Sequence, residues 1–304
     1  MFTRLRLGLC LALLAVPFLG ACGDSSNAFP FRSAAADPVG APLRILYELQ
    51  PGDGVRMAMH MTGTMVMSGD MDLSIPLDQR IDMTVRCTEV AHDGGARLEM
   101  AIESAQLSAG SATPSDEGIP GLQGLKGTYT LGADGRVRDI EFEGADPELA
   151  SQIRKMITTP GFQQFVPMPE GGLRVGEAID LAKILPAGAL EAVLSNAVPG
   201  SSVQPEVQGE LVLRGTQRID GEEVVEFDVN MVMNVAGSLA THGQTAEIDM
   251  GVRITGKQFN AVRTGLPMGT ASWDMTLRMG METNGRDVDM AMDATMSIAC
   301  TPLR

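Results

Sequence analysis

Val55-Arg56-Met57-Ala58-Met59-His60-Met61-Thr62-Gly63-Thr64-Met65-Val66-Met67 is the stretch that decides the fold. Every odd position is apolar or glycine, and most even positions (Arg56, His60, Thr62, Thr64) are polar. A repeat of two sends alternate side chains to opposite faces of a strand, whereas a helix would space its apolar residues by three and four. The stripe therefore predicts a long β-strand with one buried face.

The same period continues outward. Ser68-Gly69-Asp70 reads as a turn, after which Met71, Leu73, Ile75, Ile81, Met83, Val85 and Cys87 carry the stripe on. His92-Asp93-Gly94-Gly95 turns the chain into Leu98, Met100 and Ile102, and Thr128–Phe142 reads as a hairpin turning at Asp134-Gly135. After a turn at Asp220-Gly221 come stripes through Val225–Val235, Ile248–Ile254 and Trp273–Met281. A turn at Asn284-Gly285 then leads to the stripe through Val288–Cys300. Between these sections Asp146 and Pro147 open a helix with Leu149, Ile153, Met156 and Ile157 at helical spacing, and a second short helix is expected near Ala187–Val198. The expected fold is a mainly β, long curved antiparallel sheet, a half-barrel or open barrel, with two short helices inserted near the middle. Strands of about thirteen residues span roughly 40 Å, and sheets of that length twist and curl.

The N-terminus has its own logic. Arg4 and Arg6 precede an apolar run from Leu7 to Gly20, about fourteen residues and so too short for the roughly 20 that a bilayer core requires. It reads as a signal peptide. Leu19-Gly20-Ala21-Cys22 resembles the lipobox of bacterial lipoprotein precursors, which implies cleavage before Cys22 and lipid on its thiol. The expected organisation is a signal at 1–21, a lipidated flexible tether at 22–42 rich in Ser, Ala, Pro and Gly, and a single β domain at 43–304. That domain is readable as two related halves, 43–142 and 203–304. About 260 residues are ample for a core. Two or three acyl chains would anchor the chain stably. The expected location is the cell envelope, facing the periplasm or exterior, and Gly23 in place of Asp leans towards the outer membrane.

The chain carries 23 basic and 38 acidic residues, a net charge of −15, and removal of Arg4 and Arg6 lowers it by two further units. Such a surface repels nucleic acid and anionic headgroups. With Cys10 cleaved away and Cys22 lipidated, Cys87 and Cys300 remain. Both end strand-like segments in similar contexts, and outside the cytoplasm they are expected to form a disulfide. Seventeen of the 21 methionines fall on the alternating apolar faces, while aromatics make up 4% of the chain. Methionine is flexible and polarisable, suited either to filling a core or to meeting varied apolar partners. Met57, Met59, Met61, Met231, Met233 and Met279 are the candidate ligand-contacting residues, with a lipid or other apolar small molecule as the expected ligand. The alternative is a structural or protein-interaction module with a filled core, its protein partner unidentified.

Other chemistry lacks its residues. The three histidines are far apart, and HExxH, CxxC and GxSxG do not occur, so no catalytic set, metal or cofactor is expected and the chain is read as non-enzymatic. Met57-Ala58-Met59-His60-Met61 has the soft ligands of a Cu(I) site, but its uniform alternation is what packing predicts. Gly251–Lys257 imitates a phosphate loop yet continues into Gln258, without the Ser or Thr that would hold Mg²⁺. Carboxylates such as Asp287, Asp289 and Asp293 fall on a polar face. With one Trp and two Tyr, the aromatic girdles of an outer-membrane barrel are missing.

The layout resembles an uncharacterised family of bacterial lipoproteins. The resemblance rests on the Met-rich strand, Thr84-Val85-Arg86-Cys87-Thr88-Glu89-Val90, Tyr129-Thr130-Leu131 through Asp134-Gly135-Arg136-Val137, Pro167 to Val175-Gly176-Glu177, and Thr264-Gly265-Leu266-Pro267. It covers most of residues 43–304 and implies no activity or catalytic residues. More distantly the anchor and long sheet are similar to the lipoprotein-carrier half-barrels, whose concave face holds acyl chains; that likeness concerns fold alone.

Overall fold

The computed structural model describes residues 39–68, 72–109, 122–144, 168–169, 171–184, 191, 202–241, 244–283 and 286–303. The expected helices near 146–157 and 187–198, apart from Glu191, lie outside these, as do the turns at 69–71 and 284–285, Cys22 and residues 22–38 of the expected tether. Residues 39–42, expected to be flexible, form a strand instead, because their backbone pairs with a second short strand at Leu173–Val175.

Among the described residues eleven strands form one antiparallel sheet that is not closed into a barrel. In chain order they are β2 (Gly54–Ser68), β3 (Leu73–Val90), β4 (Ala96–Ala109), β5 (Lys126–Leu131), β6 (Val137–Glu143), β8 (Ala178–Asp180), β9 (Ser202–Ile219), β10 (Glu222–Thr241), β11 (Gln244–Ala261), β12 (Gly269–Thr283) and β13 (Arg286–Pro302). A separate two-stranded piece pairs β1 (Val39–Leu43) with β7 (Leu173–Val175), and a short helix α1 (Leu181–Ile184) follows β8. The spatial order is β6-β5-β4-β3-β2-β13-β12-β11-β10-β9-β8. Two meanders thus meet where β2 pairs with β13, and the N-terminal and C-terminal halves share a centre.

Alternation works here because one face of the sheet is buried. On β2, Val55, Met57, Met59 and Met61 are buried while Arg56, Ala58 and Thr62 are exposed. The same face of β3, β4, β10, β12 and β13 continues a single apolar core that includes Leu98, Phe227, Met275 and Met296. The turn at Asp220-Gly221 has positive φ at both residues, 51° and 87°, the geometry of a tight two-residue hairpin whose twist matches its strands.

The long strands exceed the length expected, running to 20 residues in β10. β9 was not among the expected stripes, although Val203, Pro205, Val207, Leu211 and Leu213 alternate along it. Pro205, Gly209 and Gly215 interrupt the apolar signal, and a register shift against β10 at Glu226/Phe227 moves its phase.

One end of the sheet is plugged by Ile45, Tyr47 and Leu49, all buried. The Leu46 and Glu48 amides donate to the carbonyls of Val262 and Arg263. Tyr47 lies against Gly135 in the β5–β6 turn and against Gly265 in the β11–β12 turn; a Cβ on either glycine would come within 2.6 Å of the ring. In a flat sheet β5 and β12 would stand five strand spacings apart, about 24 Å. One phenol touching both turns therefore requires the sheet to curl. Burial, with the Asp134 carboxylate adding to it, pushes the Tyr47 hydroxyl up from its ordinary value, so it stays neutral.

Asp53 fastens this segment. Its Oδ2 and Oδ1 accept from Arg263 Nη1 and Nη2 at 2.8 and 3.1 Å, and Oδ2 also accepts from the Gln50 amide at 2.8 Å. Burial opposes ionisation, but the Arg263 and Gln50 hydrogen bonds and the Arg263 charge outweigh it, so the carboxyl is held below its ordinary value. A carboxyl lowered in the native state stabilises fully above the unfolded value near about 3.9, and that contribution is lost as pH falls through the lowered native value. Asp53→Asn is expected to cost about 1 kcal/mol at pH 7, a figure reduced for solvent screening at the half-exposed guanidinium. The same change should flatten the acid limb of a urea-denaturation series taken from pH 6 to pH 2.

The expected Cys87–Cys300 disulfide is corrected by the register. Both residues are buried free thiols. Their strands, β3 and β13, are the two neighbours of β2, which lies between them. Cys300 stands opposite Met57, while the Cys87 amide bonds to the Asp53 carbonyl. Two strand spacings plus four residues of rise put the two Cα atoms about 16 Å apart, against the roughly 7 Å that a disulfide tolerates.

Candidate functional site

The apolar face is best followed as cross-strand rows, read through the register from β3 to β10. The row farthest from the plug that can be followed across all six strands is Leu73, Met67, Met290, Met279, Met250 and Val235. Beyond it on β11 the buried Ile248 packs with Val203 and Val235, and Met233 and Met250 lie against that cluster. Beneath it lie Ile75, Met65, Met292, Leu277, Val252 and Met233. Leu77, Gly63, Ala294, Met275, Ile254 and Met231 follow, and then Gln79, Met61, Met296, Trp273, Gly256 and Val229. None of these four rows contains a charged residue.

Burial changes in a step. In the third and fourth rows every side chain is buried, and Met231 is fully enclosed. In the first two rows only Met292 and Val235 are; Leu73 is exposed, and the other nine residues are half-buried. The half-buried band crosses six strands, about 24 Å, and six of its ten exposed or half-buried side chains are methionines, four of which pair directly along the first row, Met67–Met290–Met279–Met250. Contiguous apolar surface of this kind commonly marks an interaction site, and methionine adapts to varied apolar shapes.

The six candidate residues thus divide. Met57, Met59, Met61 and Met231 are core, each packed among buried neighbours, and a ligand would reach them only by displacing those neighbours. Met233 and Met279 belong to the half-buried band, with Met65, Met67, Met250 and Met290, which sequence reasoning had not singled out. The signal that could have separated them, position relative to the plug, depends on where Tyr47 folds back. His60 points away from Met57, Met59 and Met61, and its Nε2 lies 3.1 Å from Asp78 Oδ1 on the polar face.

Near the plug a cavity of about 40 Å³ remains, lined by Met57 and Met59 of β2, Gln258 of β11, Trp273 of β12, and Ile298 and Cys300 of β13 among others. It has room for a water molecule or two, far below the roughly 300 Å³ of a small-molecule site. Burial pushes the Cys300 thiol up to about 12, so it stays protonated and is a poor nucleophile. Polar groups do enter this region: Gln258 Nε2 donates to Asn260 Oδ1 at 2.9 Å, and the fully buried Asn260 donates to the Gly265 carbonyl at 2.9 Å. This chain of amides holds the β11–β12 turn against Tyr47. Among the described residues no group of three His, Cys, Asp or Glu side chains converges to hold a metal ion.

Gln79 stands apart. It is 4% exposed, in the fourth row among Leu77, Ile81 and Met61, and its Nε2 has no hydrogen-bond partner among the described residues.

No family model matches the chain, and no curated protein matches it. Solved structures with a similar arrangement include lipovitellin, in a study of its lipid–protein interactions (10% identity, 83% of this chain, TM-score 0.42). The chain spans about a quarter of lipovitellin's length, 25%. DynF of the dynemicin biosynthesis pathway of Micromonospora chersina is similar over 92% of this chain and 94% of its own (8% identity, TM-score 0.21). A LolA-superfamily protein of Nitrosomonas europaea is similar over 82% and 87% (11% identity, TM-score 0.14). At this overlap and identity these neighbours give the chain neither a family nor a ligand.

Proposed function

We propose that the chain is an envelope lipoprotein, anchored in a membrane through lipid on Cys22, that takes an acyl chain or other apolar molecule on the half-buried end of its sheet and performs no catalysis. The observation that carries the binding reading is the step in burial. The same uncharged, Met-rich face is sealed over two rows and left half-open over the next two, across six strands. The lipobox at Leu19–Cys22 and the preceding apolar run support the anchor, and Gly23 after the cysteine favours the outer membrane. The test has two parts. The full chain should sediment with membranes and Cys22→Ser should not. The detergent-free domain should bind a fluorescent acyl probe saturably and release it to unlabelled lipid.

A second reading, a structural or protein-interaction module of the envelope, is favoured by the packed lower rows and the cavity of only about 40 Å³. It predicts no saturable probe binding.

A further inference from the structure

We propose that Gln79 is the polar anchor of the apolar site and selects a neutral, ester-linked acyl lipid over a free fatty acid or a bare hydrocarbon. The inference rests on the apolar-ligand reading and names the chemistry that the site would recognise.

Gln79 occupies a position that the strand pattern reserves for an apolar residue. Leu77 and Ile81 flank it along β3 on the same face, with Met61 opposite it on β2 and Leu107 opposite it on β4. A buried amide donor without a partner is costly, and buried polar groups in native proteins are with few exceptions satisfied. A ligand carbonyl would satisfy this one.

Among the described residues the least covered neighbour of Gln79 is on the β4 side. The β4–β5 pairing ends at Ala101↔Lys126, with one further exchange between Ile102 and the Gly124–Leu125 backbone. Beyond it β4 has no outer partner among the described residues. A register shift near Asp82/Met83 then brings the small Ala105 opposite Ile81 and the half-buried Leu107 opposite Gln79. Gln79 itself is sealed, two rows below Ile75, but its neighbour on β4 is the half-buried Leu107, and a ligand carbonyl would reach the amide by displacing Leu107 rather than the buried Leu77 or Met61.

The ligand's charge follows from its surroundings. The four rows hold no Lys, Arg or His, and the chain's net charge is −15. A carboxylate on this face would be desolvated with no cation to pair with. An ester carbonyl brings an acceptor without charge, and a polar headgroup beyond it can stay in water.

The experiment compares three ligands of one chain length on the detergent-free domain: a monoacylglycerol ester, its ether analogue lacking the carbonyl, and the free fatty acid at pH 7. The wild-type protein is expected to bind the ester about tenfold more tightly than the ether, with the fatty acid weakest. Gln79→Met, of matched length, should bind ester and ether alike at the ether's affinity; Gln79→Leu repeats the test if the first variant folds poorly. Equal binding of ester and ether by the wild-type protein, or an ester preference that survives both variants, overturns this inference and leaves the apolar-ligand reading standing. Failure of all three ligands to bind overturns that reading itself.

Discussion

Met279→Asp is expected to weaken binding of an acyl probe by at least about thirtyfold while changing the stability of the domain by less than about 1 kcal/mol. The two effects separate because Met279 is half-buried. In the free protein a carboxylate there keeps much of its water. A chain lying across Met290, Met279 and Met250 would strip that water, and desolvating an unpaired charge costs several kcal/mol. Met231→Asp is the contrasting variant. Met231 is fully buried, opposite Ile254 on β11 and Gly209 on β9. A Cβ at Gly209 would lie 2.6 Å from Met231 Cγ, so even the glycine is there to admit this side chain. A charge at Met231 should unfold the domain. Urea denaturation followed by the fluorescence of Trp273, the single tryptophan, reads both variants. Equal losses of stability at the two positions would mean that the half-buried band is ordinary core.

Tyr47→Ala is expected to destabilise the domain by about 3–5 kcal/mol, the range for emptying a large aromatic site. The loss includes more than buried area, because the ring is the common contact of Gly135 and Gly265 and so joins two parts of the sheet that are remote in strand order. Gly135→Ala tests the same junction from the other side. Its φ of 75° disfavours any Cβ, and the added methyl would overlap the phenol, which should cost about 1–3 kcal/mol. A loss below about 1 kcal/mol for Tyr47→Ala would show that the curl is held without the plug.

Much of the sheet was legible in the sequence, for a definite reason. Where one face is buried, the period-2 pattern must be kept, and the stretches from Val55 to Met67 and from Trp273 to Met279 keep it. The turns at Asp93-Gly94, Asp134-Gly135 and Asp220-Gly221 were legible because they need residues that tolerate positive φ. Position along the strand was not legible. Met59 and Met67 have the same neighbours in pattern and composition, yet one is sealed and the other half-open, because the difference lies in how far each stands from Ile45, Tyr47 and Leu49. For the same reason the matched contexts of Cys87 and Cys300 did not reveal that β2 lies between their strands, nor the offset that keeps the thiols apart. Gln79 was not legible, since an isolated polar residue in an alternating segment reads as a phase slip; its burial and its unpartnered amide distinguish it.

The central claim, that the half-open end of a Met-rich sheet holds a lipid, is tested most directly by native mass spectrometry of residues 23–304 purified from the periplasm without detergent, followed by organic extraction. The account predicts an adduct of defined mass that extraction recovers as an acyl ester and that Met279→Asp abolishes. A protein of bare polypeptide mass that stays ligand-free after incubation with acyl lipids would contradict it and leave the filled-core interaction module in its place.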